Sequence, residues 1–148
     1  MKALIQRVSE ARVDINVNAF SKIGRGVLIF HGVEKGDTEN DLDYLVHKVS
    51  NLRIFEDGQK KMNLSVQDIK GEVLVVSQFT LSADCRRGNR PSFDTAEETS
   101  KAKEMYTKFI ARLRENGLRV STGDFGASMQ VRLINCGPVT IMLDSKRC

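Results

Sequence analysis

The chain has 148 residues, of which 41% are hydrophobic and 28% charged, and its formal net charge is +4. That length and composition are typical of one soluble globular domain with a substantial core. The longest apolar runs, Val27–Phe30 and Val73–Val76, are far too short to span a bilayer, and charge appears too early for a secretory signal. We therefore expect a single domain, residues 1–148, located in the cytoplasm without membrane association.

The cysteines favour neither a disulfide framework nor a zinc site. Their number is odd, and Cys85, Cys136 and Cys148 include no pair with CxxC spacing. We therefore expect free thiols, and we predict no metal or other cofactor. The mild positive charge permits an anionic partner such as RNA without requiring one.

Strand patterns dominate the first part of the chain. Residues 2–18 contain two strand-like runs, of which the second alternates apolar and polar side chains. A third strand is predicted over Gly26–Gly32 and a short one over Arg53–Glu56. Residues 59–70 show no regular pattern.

Two amphipathic helices are predicted. A threonine and an aspartate in capping-box spacing precede the first, whose apolar residues recur at helical spacing over residues 39–51. The second helix is longer, with a predicted start at Asp94 or Thr95, and Asn116-Gly117 is a typical helix end.

The stretch Glu72–Asp84 predicts a buried central strand. It opens with the apolar run Val73–Val76 and then becomes polar at Ser77 and Gln78. Burying an unpaired amide costs roughly 1–3 kcal/mol, so polar residues at such a position indicate a hydrogen-bonding requirement. The carboxyl end of this strand is therefore the first candidate site.

Strands also dominate the end of the chain. A strand is predicted over Leu118–Ser121, and residues 129–134 alternate in a strand pattern. The Asn135–Pro138 segment predicts a tight turn, after which Val139–Leu143 would complete a hairpin. Many strands with two helices predict an α+β fold: a single domain with a mainly antiparallel, barrel-like sheet core.

The residue inventory excludes several kinds of chemistry. There is no GxSxG elbow, Walker loop, HExxH motif or EF-hand loop, and the only histidines are His31 and His47. Hydrolysis of an activated ester fits what remains, because backbone amides can stabilise its oxyanion, each contributing roughly 10²–10³ in rate. Thr80 is either a nucleophile or water-positioning group, or an ordinary β-branched strand residue, and no base lies near it in sequence.

Basic residues cluster after the predicted central strand. Arg86, Arg87 and Arg90 lie in one loop, and further lysines and arginines lie on the second predicted helix. Such a set forms either a solvated basic face or a track for phosphates. The pattern by itself leaves both readings open.

Two motifs resemble the signatures of a known family. Ser77-Gln78-Phe79-Thr80-Leu81 and Asn135-Cys136-Gly137-Pro138-Val139-Thr140 are similar to the two signature motifs of the D-aminoacyl-tRNA deacylases. The resemblance covers nearly the whole chain in the family's order, including the segments Ala3–Val8, Met62–Leu64, Gly88–Phe93 and Gly123–Val131.

The resemblance implies an activity and an assembly. The protein would hydrolyse the ester of D-aminoacyl-tRNA, and of glycyl-tRNA, as chiral proofreading in translation, with tRNA as its partner. It would be a homodimer with active sites at the subunit interface. Each site would combine Ser77, Gln78, Phe79 and Thr80 of one subunit, as the catalytic motif, with Gly137-Pro138 of the other.

The resemblance also assigns roles to individual residues. Gly137-Pro138 would be a cis peptide whose carbonyls hold the substrate's amino group and exclude an L side chain. Arg7 would brace that segment. The pocket around the terminal adenosine and the aminoacyl group would be lined by Phe79, Phe125, Ala127 and Met129.

The chain departs from the family at Cys136, which stands where aspartate is usual. Three alternatives remain open: a non-catalytic nucleic-acid-binding module, a thiol hydrolase using Cys136 or Cys85, and a structural homo-oligomer. A low aromatic content and the lack of an RNA-recognition aromatic motif count against the first.

Overall fold

A computed structural model describes residues 1–147 of the chain. In that part it contains eight strands, two α-helices and a short 3-10 turn, Phe79–Ser82. The strands and helices are, in chain order, β1 (Lys2–Ile15), β2 (Asn18–Ile23), β3 (Gly26–Gly32), α1 (Glu39–Asn51), β4 (Phe55–Glu56), β5 (Met62–Leu64), β6 (Glu72–Ser77), α2 (Thr99–Glu115), β7 (Arg119–Thr122) and β8 (Gln130–Asp144).

The long strand β1 organises the sheet. β2 and β3 pair antiparallel with one of its edges, and β8 pairs antiparallel along the other. β6 then joins β3 in parallel, and β7 joins β6 in parallel, so the sheet continues outward from β1 through β3, β6 and β7. The predicted α+β class with a mainly antiparallel, barrel-like sheet and two helices is confirmed, and the parallel portion lies around β6.

The apolar run of β6 is buried on both faces of the sheet. Val73 and Val75 belong to the larger core, which the helices α1 and α2 cover. Leu74 and Val76 belong to a second, smaller core on the opposite face. This double burial explains why the strand reads as a continuous apolar run and not as an alternating one.

The first helix has the predicted bounds. α1 spans Glu39–Asn51, and the backbone amide of Thr38 donates to the Asp41 carboxylate at 2.8 Å, as in a capping box. Its buried residues lie on one face: Leu42, Leu45, Val46, Val49 and Ser50.

The second helix starts later than predicted, although its end agrees. α2 begins at Thr99, where the side chain of Glu98 accepts a hydrogen bond from the amide of Ser100. The preceding residues are held by contacts with the chain after β3, including a bridge of Ala96 with Glu34. Pairing of this segment therefore prevents a helical start at Asp94 or Thr95.

Several strand boundaries also differ from the predictions. The two runs expected in residues 2–18 are one continuous strand, β1, and the hairpin partner β2 was not predicted. β5 lies within the stretch read as irregular, because it pairs with β4. The central strand ends at Ser77, where the chain enters the 3-10 turn.

The predicted C-terminal hairpin is wrong. β8 is one strand that pairs with β1 on both sides of a bulge. Gln6 pairs with Thr140 and Val8 with Asn135, so four residues of β8 bulge opposite the single residue Arg7. The turn-like segment therefore interrupts a strand and does not reverse it.

No helix in residues 1–147 is both long and apolar enough to cross a membrane.

Candidate active site

A pocket of about 530 Å³ opens at the carboxyl end of β6. Most of its exposed lining is apolar. The residues around it are His31, Val33, Val76, Ser77, Gln78, Phe79, Ala96, Glu97, Thr99, Ala102, Tyr106, Phe125, Gly126, Ala127, Met129 and Val131. An apolar cleft with a few polar groups is the usual form of a small-molecule site.

One wall comes from the predicted Ser-Gln-Phe-Thr motif. The backbone N–H of Gln78 donates to the His31 carbonyl at 2.7 Å. This is the last backbone contact between this segment and β3 before the 3-10 turn. Ser77, Gln78 and Phe79 border the pocket. Thr80 lies outside its lining, on the exposed turn, where its hydroxyl accepts a hydrogen bond from the Gln78 side-chain amide.

The opposite wall comes from the segment between β7 and β8. It contributes Phe125, Ala127 and Met129, all three of which were predicted to line a pocket. Met129 packs close over Gly123: a Cβ at that position would lie only 2.7 Å from the Met129 sulfur, so the methionine side chain would have to shift. The structure thus brings these three residues together with Ser77, Gln78 and Phe79.

Gly137, Pro138 and Arg7 do not join the pocket of their own chain. The Gly137-Pro138 peptide is cis, as expected, and lies in the exposed bulge of β8. β1 and β3 separate β8 from β6 in the sheet. The two signature motifs are therefore on different parts of one protomer.

Arg7 holds the bulge in place. Its Nε donates to the Cys136 carbonyl at 2.9 Å and its Nη1 to the Ile54 carbonyl at 2.6 Å. Within the bulge, Asn135 Oδ1 accepts from the Val139 amide at 2.8 Å. Gly137 has φ of +131° and approaches Arg7 so closely that a Cβ would lie 2.8 Å from Nη2, so a side chain is excluded there.

The pocket also contains residues that sequence reasoning did not assign to a site. The hydroxyl of Tyr106 donates to the Val75 carbonyl at 2.8 Å, and burial raises its pKa. The Glu97 carboxylate binds Lys101 at 2.7 Å, and this hydrogen bond lowers the Glu97 pKa. Their positions depend on how α2 packs, which local patterns do not show.

His31 lies under the pocket and is unsuited to act as a base. It is 2% exposed, stacks on Phe109 at 4.4 Å, and neither ring nitrogen has a hydrogen-bond partner in the described chain. Burial, and then the nearby terminal ammonium of Met1, lower its pKa to about 3. His47 is exposed on α1.

The chemistry available here relies on backbone and shape. Among residues 1–147 no group of three or more His, Cys, Asp or Glu side chains is placed to hold a metal ion. Cys85 and Cys136 are free thiols, and Cys148 lies outside the described residues. The first hydrogen bond of the 3-10 turn runs from the backbone N–H of Leu81 to the Gln78 carbonyl. The backbone N–H groups of Phe79 and Thr80 precede this bond, so the turn itself does not use them. An α+β domain with such a pocket suits a protein that binds a small organic group and positions it by shape and backbone contacts.

Comparison with known proteins identifies the family. The model of the family described as D-Tyr-tRNA(Tyr) deacylase matches residues 4–144. The "D-aminoacyl-tRNA deacylase" of Thermotoga petrophila is 58% identical over 147 residues, covering 99% of each chain. That of Aquifex aeolicus is 53% identical over 146 residues, again covering 99% of each chain. The chain belongs to the D-Tyr-tRNA(Tyr) deacylase family and is an enzyme of the hydrolase class.

Two solved structures share the fold. The "c-Myc DNA Unwinding Element Binding Protein" is 42% identical with a TM-score of 0.92, and the match covers 97% of this chain and 98% of that one. A "probable eukaryotic D-amino acid tRNA deacylase" has a TM-score of 0.83 at 19% identity, covering 96% and 97%. The second likeness concerns the fold alone.

Proposed function

We propose that the protein hydrolyses the ester that joins a D-amino acid to the 3′ end of tRNA, releasing the free amino acid and tRNA. Glycyl-tRNA, which has no side chain to exclude, would be a second substrate. The reaction would serve chiral proofreading during translation in the cytoplasm. Family membership supports this, and the observation that carries it is an open, largely apolar pocket whose polar wall is the Ser77–Thr80 motif.

The proposed active site is composite. The pocket of one subunit would receive Gly137-Pro138 of a second copy, because in one chain β1 and β3 separate these two features. β8 supports such pairing: it is long, and in the described chain it pairs only with β1. Ile134 and Met142 on β8 are 55% and 50% exposed, which is apolar surface that a partner would cover.

Chirality would be read by the backbone. The carbonyls of Gly137 and Pro138 would hold the substrate's α-ammonium group and leave no room for an L side chain. Arg7 supports this role, since it binds two carbonyls and limits movement of the bulge. A clash with fixed backbone discriminates without contacting the accepted side chain, so one site can serve many D-amino acids.

Ester hydrolysis would proceed by attack of water, assisted by the 2′-hydroxyl of the terminal ribose. Backbone amides at the start of the 3-10 turn, those of Phe79 and Thr80, would stabilise the oxyanion. Each such donor is worth roughly 10²–10³ in rate. Phe125, Ala127 and Met129 would enclose the adenosine and the aminoacyl group.

The decisive experiment compares D-tyrosyl-tRNA with L-tyrosyl-tRNA, using purified protein with a chelator present. We expect rapid loss of the D-ester while the L-ester decays at its rate in buffer. Equal decay of both esters would contradict backbone-based selection. Decay of neither, with the protein folded, would overturn the enzymatic proposal.

Nucleic-acid binding without catalysis is the second candidate. The exposed arginines of the loop after the 3-10 turn favour it, and a structural neighbour at 42% identity carries a name that refers to DNA binding. This candidate predicts that both esters decay at their rates in buffer. It also predicts that the protein binds uncharged tRNA in a separate binding measurement.

A further inference from the structure

The loop formed by residues 85–91 is exposed but firmly held at its base. Asp84 and Ser92 pair through two backbone hydrogen bonds of 2.8 and 2.9 Å. The Asp84 carboxylate also accepts from the Arg86 guanidinium, at 2.6 Å from Nη2. The loop therefore presents its outer side chains from a defined position.

Two arginines of this loop carry uncompensated charge. Arg86 is matched by Asp84, whereas Arg87 and Arg90 are exposed and have no carboxylate within 4.0 Å in the described part of the chain. A cation without a protein partner can exchange its counterions for a phosphate at little cost.

The cations of α2 are different, because carboxylates already neutralise many of them. Lys101 pairs with Glu97 at 2.7 Å, and Lys108 pairs with Glu39 at 2.8 Å. Arg112 also lies within 3.8 Å of Glu39. The loop is therefore a better phosphate-binding surface than the helix, although both are rich in basic residues.

An aromatic pair, of which Phe79 is exposed and Phe93 half-buried, connects this loop with the pocket. Phe79 borders the pocket, is 58% exposed, and meets Phe93 edge to face with ring centroids 5.0 Å apart. Phe93 follows the loop directly after Ser92. An aromatic surface next to free cations is the combination that binds single-stranded nucleic acid, by base stacking and phosphate contact.

We propose that loop 85–91 and the Phe79–Phe93 pair bind the single-stranded 3′ end of tRNA as it leaves the pocket. The base that precedes the terminal adenosine stacks on the outer side of the Phe79–Phe93 pair, and Arg87 and Arg90 contact the phosphates that precede the terminal nucleotide. This inference rests on the proposed deacylase function, since that function places the terminal adenosine in the pocket. It names the surface that makes the enzyme prefer a tRNA ester to a free nucleoside ester.

The test uses the double variant Arg87→Gln/Arg90→Gln with two substrates, D-tyrosyl-tRNA and the D-tyrosyl ester of adenosine. We expect KM for the tRNA ester to rise about tenfold with kcat retained, while hydrolysis of the adenosine ester is unchanged. For the tRNA ester, log(kcat/KM) falls as log[salt] rises, and each single-strand phosphate contact adds about 0.7 to the steepness of that fall. Loss of two contacts should therefore make the slope less negative by about 1.4.

The control removes another exposed cation that has no carboxylate within 4.0 Å in the described part of the chain, in the variant Lys70→Gln. Lys70 precedes β6 and so lies at the opposite end of that strand from the pocket. An equal KM for wild type and the loop variant on tRNA would overturn the loop proposal and leave the proposed function intact. A similar loss with the control variant, or with the adenosine ester, would also overturn it. If wild type hydrolyses neither ester, the proposed function itself fails.

Discussion

Thr80 shows how one residue's surroundings restrict its chemistry. It is exposed on the 3-10 turn, and its hydroxyl is already hydrogen-bonded to the Gln78 side chain. Neither histidine is positioned as its base: His31 is buried and has no hydrogen-bond partner among residues 1–147, and His47 is exposed on α1. A hydroxyl nucleophile needs an activating base within reach. These contacts favour a backbone role for this residue.

Replacement of Thr80 by alanine should therefore preserve catalysis. We expect kcat on D-tyrosyl-tRNA to fall by no more than about tenfold, because the backbone amide remains. Single-turnover kinetics measures this, with circular dichroism to confirm folding. Complete loss of activity in a folded Thr80→Ala protein would instead identify a nucleophile.

His31 makes stability depend on pH. Its pKa is about 3 in the folded protein against an ordinary 6.5, so the unfolded chain binds a proton more readily. Stability from this group is present above pH 6.5 and is lost as the pH falls. Between pH 7 and pH 5 the loss should be about 2 kcal/mol.

Urea denaturation of wild type and His31→Leu at pH 7 and pH 5 tests this effect. Leucine fills a similar volume and removes two ring nitrogens that have no hydrogen-bond partner in the described chain, so the variant should lose much less stability on acidification. Carboxylates contribute little in this window, because their unfolded pKa values lie near 4. Equal losses for both proteins would contradict the assignment.

At the scale of elements, β8 and the β6 strand end create the two halves of the proposed site. The β8 residues on either side of segment 136–139 pair with β1. The four residues of that segment face the single residue Arg7, so they bulge out of the strand. The planar guanidinium of Arg7 reaches two carbonyls from different segments at once. Arg7 therefore ties the bulge to the segment before β4, in addition to the hydrogen bond that Asn135 makes within the bulge.

Arg7→Lys should reduce chiral discrimination. An ammonium keeps the charge but lacks the fork that reaches both Cys136 and Ile54, so the bulge would gain freedom. We expect the ratio of D- to L-tyrosyl-tRNA hydrolysis to fall about tenfold or more. Arg12→Lys, also on β1, is the matched control and should keep the ratio. An unchanged ratio for Arg7→Lys would contradict the bracing role.

The accuracy of the element predictions follows the range of the interactions involved. The bounds of α1 were predicted correctly because its capping residues lie within the same turn. The start of α2 was wrong because residues 92–97 pair with distant segments, including the Glu34–Ala96 bridge. The hairpin was wrong because turn-forming residues can also form a bulge when both flanks find the same partner strand.

At the scale of the whole molecule, one chain holds the two signature motifs apart. The pocket contains Ser77, Gln78 and Phe79, whereas Gly137-Pro138 lies in the exposed bulge of β8. A second copy related by two-fold symmetry would bring each motif to the other's site. This arrangement makes the proposed activity depend on assembly.

Subunit mixing tests that dependence. Gln78→Ala and Pro138→Ala proteins should each be nearly inactive, and mixing equal amounts with subunit exchange should restore about a quarter of wild-type activity, because half of the dimers gain one intact site. Mixing each variant with itself is the control. No recovery, despite exchange shown by a tagged subunit, would contradict the composite site.

The sequence by itself determined the class of fold, the first helix and the segments that carry the chemistry, since these depend on local periodicity, capping and motif order. The family resemblance added Phe125, Ala127 and Met129 to the predicted site. The structure gathers these three with Ser77, Gln78 and Phe79 around one pocket, whereas Thr80, Arg7, Gly137 and Pro138 lie outside its lining. Only the tertiary structure decided that β8 is a single bulged strand, that His31 lies under the pocket, and that Arg87 and Arg90 are the loop's free cations. Those facts follow from pairing and packing between residues far apart in the chain, which no local pattern encodes.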